Sequence, residues 1–157
     1  MIDKKRLCKF LTTAKRSTYA AGETAKKIVE ADKSTTLIFE DGDLKYHDNY
    51  FGGEPFGGRE VVFLQNEPIY IMTYYGWVDE SISYFEDVYK ILQKALSLIP
   101  EDYPFRGPNE YRENGLIYKN SHNGEIDNFF GEEIISSADG KEIYKAKYIG
   151  GFVNQRK

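Results

Sequence analysis

A β-hairpin is encoded in Phe39-Glu40-Asp41-Gly42-Asp43-Leu44-Lys45-Tyr46, where strand-like residues flank an Asp-Gly turn. The same pattern returns at a constant offset in Tyr111-Arg112-Glu113-Asn114-Gly115-Leu116-Ile117-Tyr118. Further hairpins are predicted on either side of short turns near residues 66 and 139, by the same alternation and turn chemistry. The chain is therefore expected to be rich in antiparallel strands.

The repeat extends beyond these hairpins. Gly58-Arg59-Glu60-Val61-Val62 matches Gly131-Glu132-Glu133-Ile134-Ile135, and Tyr70 and Tyr74 match Tyr144 and Tyr148. Three matches in register favour a duplication over chance similarity. We therefore predict one domain, residues 1–157, with pseudo-repeats at about 3–80 and 81–153.

An amphipathic helix precedes each set of strands. Apolar residues recur at helical spacing over residues 3–14 and again over 84–99, with Lys15 placed off the first stripe. Ser83 with Glu86 is typical of a capping box. A helix followed by antiparallel strands, twice, predicts an α+β fold whose sheet or sheets are covered by the two amphipathic helices on one side. Alternation predicts that six tyrosines face inward, namely Tyr46, Tyr70, Tyr74, Tyr118, Tyr144 and Tyr148.

Composition excludes several classes of protein. The 157 residues contain one cysteine, Cys8, so an intrachain disulfide is impossible, and no apolar run is long enough for a membrane helix. These features predict a cytoplasmic protein without a membrane partner. Residues 1–33 carry nine Lys/Arg against four Asp/Glu, yet the whole chain has a net charge of −4. The acidic body predicts no nucleic-acid partner, because non-specific binding needs a basic surface.

No motif for a cofactor, metal or nucleophile is present. A phosphate loop, a dinucleotide fingerprint and a zinc helix are all missing from the sequence. The two histidines, His47 and His122, fall at non-equivalent repeat positions. We therefore predict no cofactor, no metal and no catalytic residue with a recognisable motif, which favours a protein that is not an enzyme.

A set of short motifs resembles a known family. These are Asp48-x-Tyr50-x-Gly52-Gly53, Phe56-x-Gly58-x-Glu60-Val61, Met72-x-Tyr74-Tyr75-Gly76, Arg106-Gly107-Pro108, Phe130-Gly131-x-Glu133-x-Ile135 and Tyr144-x3-Tyr148-x-Gly150-Gly151. In this order, across about residues 7–153, they resemble an uncharacterised bacterial domain-of-unknown-function family. Its members occur alone or C-terminal to XRE-type helix-turn-helix regulator modules. The resemblance implies no activity, but it implies ligand or protein recognition by a stand-alone sensor or effector domain.

Glu60 and Glu133 form a candidate pair of carboxylates. They occupy equivalent repeat positions, each two residues after a glycine. Two carboxylates about 5–10 Å apart are the machinery of a glycoside hydrolase. The alternative is that each accepts hydrogen bonds from tyrosine or backbone as a repeated structural device.

Arg106 and Trp77 stand where the two halves depart from the repeat. Arg106 suits an anionic ligand group or a surface ion pair, and Trp77 suits a stacking platform or a plug under a helix. Clefts between halves are common ligand positions. We therefore expect a ligand pocket lined by Glu60, Tyr74, Trp77, Arg106, Glu133 and Tyr148.

Three functions remain open. The favoured one is recognition of a small, nucleotide-like or anionic ligand by a sensor or sequestering protein. The alternatives are a small hydrolase that uses Glu60 and Glu133, and a protein-binding inhibitor or regulator module. The sequence leaves the oligomeric state undetermined.

Overall fold

The computed structural model describes residues 2–154 and contains one nine-stranded antiparallel sheet. The strands run in the order β1-β2-β3-β4-β5-β9-β8-β7-β6 across the sheet. In chain order the elements are α1 (Lys4–Ser17), a 3₁₀ segment (Tyr19–Thr24), β1 (Ile28–Val29), β2 (Thr35–Asp41), β3 (Leu44–Gly52), β4 (Phe56–Leu64), β5 (Glu67–Val78), α2 (Phe85–Ser97), β6 (Glu110–Glu113), β7 (Leu116–Glu125), β8 (Asn128–Ser136) and β9 (Glu142–Phe152).

The predicted helix-covered α+β fold is wrong. About 48% of the chain is strand and only 22% is helix. The strands are long, and β5 alone has 12 residues. Two helices of 14 and 13 residues are too short to cover a nine-stranded sheet, which makes the fold mainly β.

Local signals explain the helices and the turns. The Asp3 side chain accepts a hydrogen bond of 3.0 Å from the Arg6 N–H and so caps α1. The predicted Ser83–Glu86 capping box is wrong, because α2 begins after Tyr84 without a side-chain cap. In the β6–β7 turn both Asn114 and Gly115 adopt positive φ, as a tight hairpin turn demands.

The six tyrosines predicted to face inward are all buried, with exposed fractions of 9% or less. Around them lie two apolar clusters on the same face of the sheet. One packs α1 against Tyr46 and Tyr70, and the other packs α2 against Tyr118 and Tyr144. The predicted inward face is confirmed.

The two halves of the sheet meet at β5 and β9, where Tyr74 pairs directly with Tyr148. Asp48 lies opposite Glu60 across β3–β4, and Asn120 lies opposite Glu133 across β7–β8. The matched residues thus occupy corresponding places on either side of the central pair. The duplication stays a prediction, which superposition of the two four-stranded halves will test.

Candidate functional site

A cavity of about 250 Å³ lies between the tyrosine face of β3–β5 and the segments that cover it. The covering residues come from the end of α1, the 3₁₀ segment, α2 and the loop after α2. Four charged side chains reach its wall and are themselves buried, namely Lys15, Asp48, Glu60 and Arg106. The rest of the wall is largely aromatic, with Tyr19, Tyr46, Tyr50, Phe56, Tyr74, Tyr89 and Phe105.

Among the four charged groups, Asp48 is the one without an ion-pair partner in residues 2–154, since Lys15 pairs with Glu60 and Arg106 with Glu133. Its Oδ1 accepts a hydrogen bond of 2.6 Å from the Tyr74 hydroxyl. None of the residues in the described range 2–154 donates a hydrogen bond to its Oδ2. Burial, and then the negative charge of Glu60 opposite, raise the pKa of Asp48 to about 7. Its carboxyl group therefore titrates near neutral pH.

Glu60 is neutralised by Lys15, which reaches it from the last turn of α1. The Lys15 Nζ lies 2.7 Å from Glu60 Oε2, as an ionic contact outside hydrogen-bond geometry. The same Nζ donates a 2.8 Å hydrogen bond to the Phe105 carbonyl. Burial lowers the pKa of Lys15 against the opposing effect of Glu60. The sequence placed Lys15 off the apolar stripe of the helix, so its burial corrects that assignment.

Arg106, which reaches the cavity wall, forms a closed cluster with Glu133, which lies behind that wall. The Arg106 Nε and Nη2 donate to Glu133 Oε1 at 3.0 and 2.6 Å. Tyr118 donates to Oε2 at 2.6 Å and Tyr144 to Oε1 at 2.8 Å. Burial opposes the charge of Arg106, but Glu133 outweighs it, so the pKa of Arg106 is raised. The two buried charges thus neutralise each other within the protein.

The position equivalent to Asp48 in the second half holds an amide. Asn120 Oδ1 accepts a 2.7 Å hydrogen bond from the Tyr148 hydroxyl, as Asp48 accepts one from Tyr74. The Asn120 amide also donates to the Gly107 carbonyl at 2.9 Å. The second half therefore makes this contact without an extra charge, whereas the first half carries a second carboxylate, Asp48, beside Glu60 on the cavity wall.

The six residues expected to line one pocket do not share one cavity. Glu60, Tyr74 and Arg106 line it together. Glu133 has no exposed surface, and Tyr148 is buried against Asn120. Trp77 lies on the opposite face of the sheet, 36% exposed, with its ring 5.8 Å from that of Tyr75.

Neither Arg106 nor Trp77 is placed to bind a ligand in the way that the sequence suggested. The Arg106 fork is occupied by Glu133, in a buried rather than a surface ion pair. Trp77 neither plugs the core nor faces the cavity, because β5 alternates and its inward residues are Tyr74, Gly76 and Val78.

Sequence reasoning missed Asp48 and Lys15 as site residues. Asp48 stood inside a family motif, and the register of the β3–β4 hairpin alone would have set it opposite Glu60. Lys15 gives no such signal, since a lysine beside an apolar stripe is usually solvated.

The arrangement offers little to hydrolysis or to a metal. Glu133 is enclosed by Tyr118, Tyr144 and Arg106, so Glu60 and Glu133 do not meet in an open cleft. Within residues 2–154 no group of three or more His, Cys, Asp or Glu side chains is arranged to hold a metal ion. No helix in this range is long and apolar enough to cross a bilayer.

Comparison with known proteins gives one match. A family model described as "Domain of unknown function (DUF5680)" matches residues 48–153, about two thirds of the chain. No curated protein and no solved structure gives a significant match. The match begins at Asp48 and includes Glu60, Tyr74 and Arg106, but it leaves out α1 and the 3₁₀ segment, which supply Lys15 and Tyr19 to the cavity.

Proposed function

Because the chain belongs to the DUF5680 family, whose function is unknown, we propose a function from the cavity itself: the domain binds a small molecule without converting it. A protein of this kind acts as a sensor or as a sequestering protein. The observation that carries the proposal is a cavity of about 250 Å³ whose wall holds the buried, half-bonded carboxylate of Asp48.

The size and the lining of the cavity support a ligand over trapped solvent. At roughly 30 Å³ per water, the cavity has room for about eight water molecules. This is more than the few waters that usually bridge buried polar groups. Ligand sites are typically walled by aromatic and apolar side chains with a few well-placed polar groups, and measure roughly 300–1,000 Å³. This cavity lies just below that range, which favours a compound with one ring over a whole nucleotide.

A non-enzymatic role is supported by the bonding of the charged groups. Lys15 is engaged by Glu60, and Arg106 by Glu133. A hydrolytic acid–base pair needs two carboxylates facing the substrate. Here Glu60 already neutralises a lysine, and Glu133 lies out of reach behind the wall.

Native mass spectrometry of freshly purified full-length protein tests the proposal. We expect a small molecule to travel with the wild-type chain and to leave it on denaturation. Ala20 lines the cavity, so Ala20→Trp should fill it and abolish the added mass. The matched control is Ala21→Trp in the same 3₁₀ segment, since Ala21 is absent from the cavity lining and should leave the added mass unchanged. Equal masses for wild type and Ala20→Trp, under conditions that preserve folding, would contradict the proposal.

A further inference from the structure

We propose that the cavity selects a ring-bearing cation, such as an aryl amidine or amine, through the free Oδ2 of Asp48. This inference rests on the proposed function and names the ligand class for the same site. It replaces the anionic ligand expected from the sequence.

The charge balance of the wall leaves one anion without a protein partner. Lys15 is held by Glu60 and by the Phe105 carbonyl, so its charge is taken up. Arg106 is held by Glu133. What remains is Asp48, which receives one hydrogen bond and keeps one oxygen free. A buried carboxylate in this condition is stabilised by a ligand that brings N–H donors and positive charge.

Charged and titratable groups surround Asp48. Glu60 faces it from β4 and Tyr74 from β5, while Lys15 approaches from α1 and Arg106 from the loop after α2. Tyr19 of the 3₁₀ segment and Tyr46 and Tyr50 of β3 add hydroxyl groups that stay uncharged at neutral pH, since burial raises their pKa values. Lys27 also lines the cavity, but its side chain is exposed to solvent, which weakens its effect on the interior.

The second half of the sheet makes the same tyrosine contact without a charge. Asn120 occupies the corresponding place on β7, opposite Glu133, and accepts from Tyr148 as Asp48 accepts from Tyr74. A neutral amide is therefore enough to satisfy the tyrosine. A carboxylate at this place adds the cost of a buried charge, and buried titratable groups in clefts are typical of functional sites.

The aromatic wall favours a flat cation. Tyr50, Phe56 and Tyr89 line the cavity together with Tyr19 from the 3₁₀ segment. The negative faces of such rings attract cations, and flat ligands stack on them. An amidine on a single ring combines this shape with a positive charge and N–H donors for the free Oδ2 of Asp48.

Three probes of nearly equal shape test the inference: benzamidine, benzamide and benzoate, which differ mainly in charge. Titration of each into full-length wild-type protein at pH 8, followed by NMR, should show benzamidine bound at least about tenfold more tightly than benzoate, since a buried charge pair discriminates strongly against the wrong sign. Asp48→Asn should weaken benzamidine binding at least about tenfold and leave benzamide binding unchanged. The control Asp127→Asn removes a surface carboxylate paired with Lys4 and should change neither.

The pH dependence gives a second readout. Since burial and Glu60 raise the pKa of Asp48 to about 7, the carboxylate forms as the pH rises from 5 to 8. Benzamidine remains cationic over this range, so its affinity for the wild-type chain should increase while its affinity for Asp48→Asn stays flat.

The outcomes separate this inference from the proposed function. Tighter binding of benzoate, an undiminished affinity of Asp48→Asn for benzamidine, or no benzamidine binding at all would each overturn the cationic class. The proposed function survives the first two results if Ala20→Trp removes binding and Ala21→Trp does not. It fails together with the ligand class if no probe binds and no molecule travels with the purified protein.

Discussion

At the scale of single residues, ionisation of the buried Asp48 lowers the free energy of unfolding near neutral pH. The native pKa, about 7, lies above the ordinary value of 3.8, so the folded protein holds a proton that the unfolded chain releases. The bound proton contributes to the free energy of unfolding. This contribution is fully present below about pH 4 and is lost as the pH rises through 7. At about 1.4 kcal/mol per pH unit, the loss amounts to as much as about 4 kcal/mol.

Asp48→Asn should therefore stabilise the protein at pH 8 and have little effect at pH 4, because the amide carries no charge and still accepts from Tyr74. Urea unfolding of ligand-free wild type and variant at the two pH values measures the difference. Asp127→Asn should show no comparable difference, since Lys4 lowers the pKa of Asp127. A gap between Asp48→Asn and wild type that is the same at both pH values would contradict the assignment.

Arg106 is a structural residue, because it neutralises the buried charge of Glu133. Arg106→Ala leaves Glu133 buried without its cation, and breaking such a pair costs about 3–5 kcal/mol. Removing the charge as well, in Arg106→Ala with Glu133→Gln, should recover part of this loss. The exposed pair of Arg112 with Glu110 provides the control, where Arg112→Ala should cost about 1 kcal/mol or less. Chemical denaturation decides, and equal losses for Arg106→Ala and Arg112→Ala would refute the buried role.

At the scale of elements, Gly131 on β8 leaves the space in which the Tyr148 side chain of β9 lies. A Cβ at Gly131 would lie 2.2 Å from the Tyr148 hydroxyl oxygen, and one at Gly58 would lie 2.7 Å from that of Tyr74. These glycines let the two central tyrosines cross over the neighbouring strand and reach Asn120 and Asp48. The positioning of the site thus depends on missing side chains as much as on present ones.

Gly131→Ala should destabilise the protein by about 1–3 kcal/mol, the usual cost of overpacking. Gly53 is the matched control, since a Cβ there meets nothing within 4 Å and Gly53→Ala is expected to be nearly neutral. Thermal unfolding compares the two variants. If Gly131→Ala is also neutral, Tyr148 has more freedom than its buried hydrogen bond implies.

The hairpins were predictable because each is encoded within a few neighbouring residues. Asn114-Gly115 supplies the positive φ values of its turn, and alternation then fixes which tyrosines face inward. The join between β5 and β9 was not predictable, because it pairs Tyr74 with a residue 74 positions away and no turn encodes it. The helices were given too much weight, since an apolar stripe shows that a helix packs but not how much sheet it covers.

The candidate site also contains some residues that the sequence predicted and others that it did not. Glu60, Tyr74 and Arg106 were expected in one pocket and line one cavity. Trp77 was misplaced although the alternation that turns Tyr74 inward puts a residue three positions later on the opposite face. The role of Lys15 depends on how α1 docks, which is a property of the tertiary structure.

At the scale of the whole molecule, charge predicts one class of partner that should not bind. The net charge is −4, and the basic excess of residues 1–33 is partly spent on contacts of Lys4, Arg6 and Lys15 with acidic residues. We expect no notable affinity for duplex DNA at physiological salt. Fluorescence anisotropy with labelled duplex measures it, and tight binding that weakens steeply as salt is added would contradict the expectation.

Tryptophan fluorescence distinguishes the two faces of the sheet. Trp77 is the single tryptophan of the chain, and it lies on the face that the helices leave uncovered, across the sheet from the cavity. Its emission should therefore stay nearly constant when a small molecule enters the cavity, and should shift to shorter wavelength when another macromolecule covers the outer face. One intrinsic fluorophore thus separates the two kinds of recognition in a single cuvette.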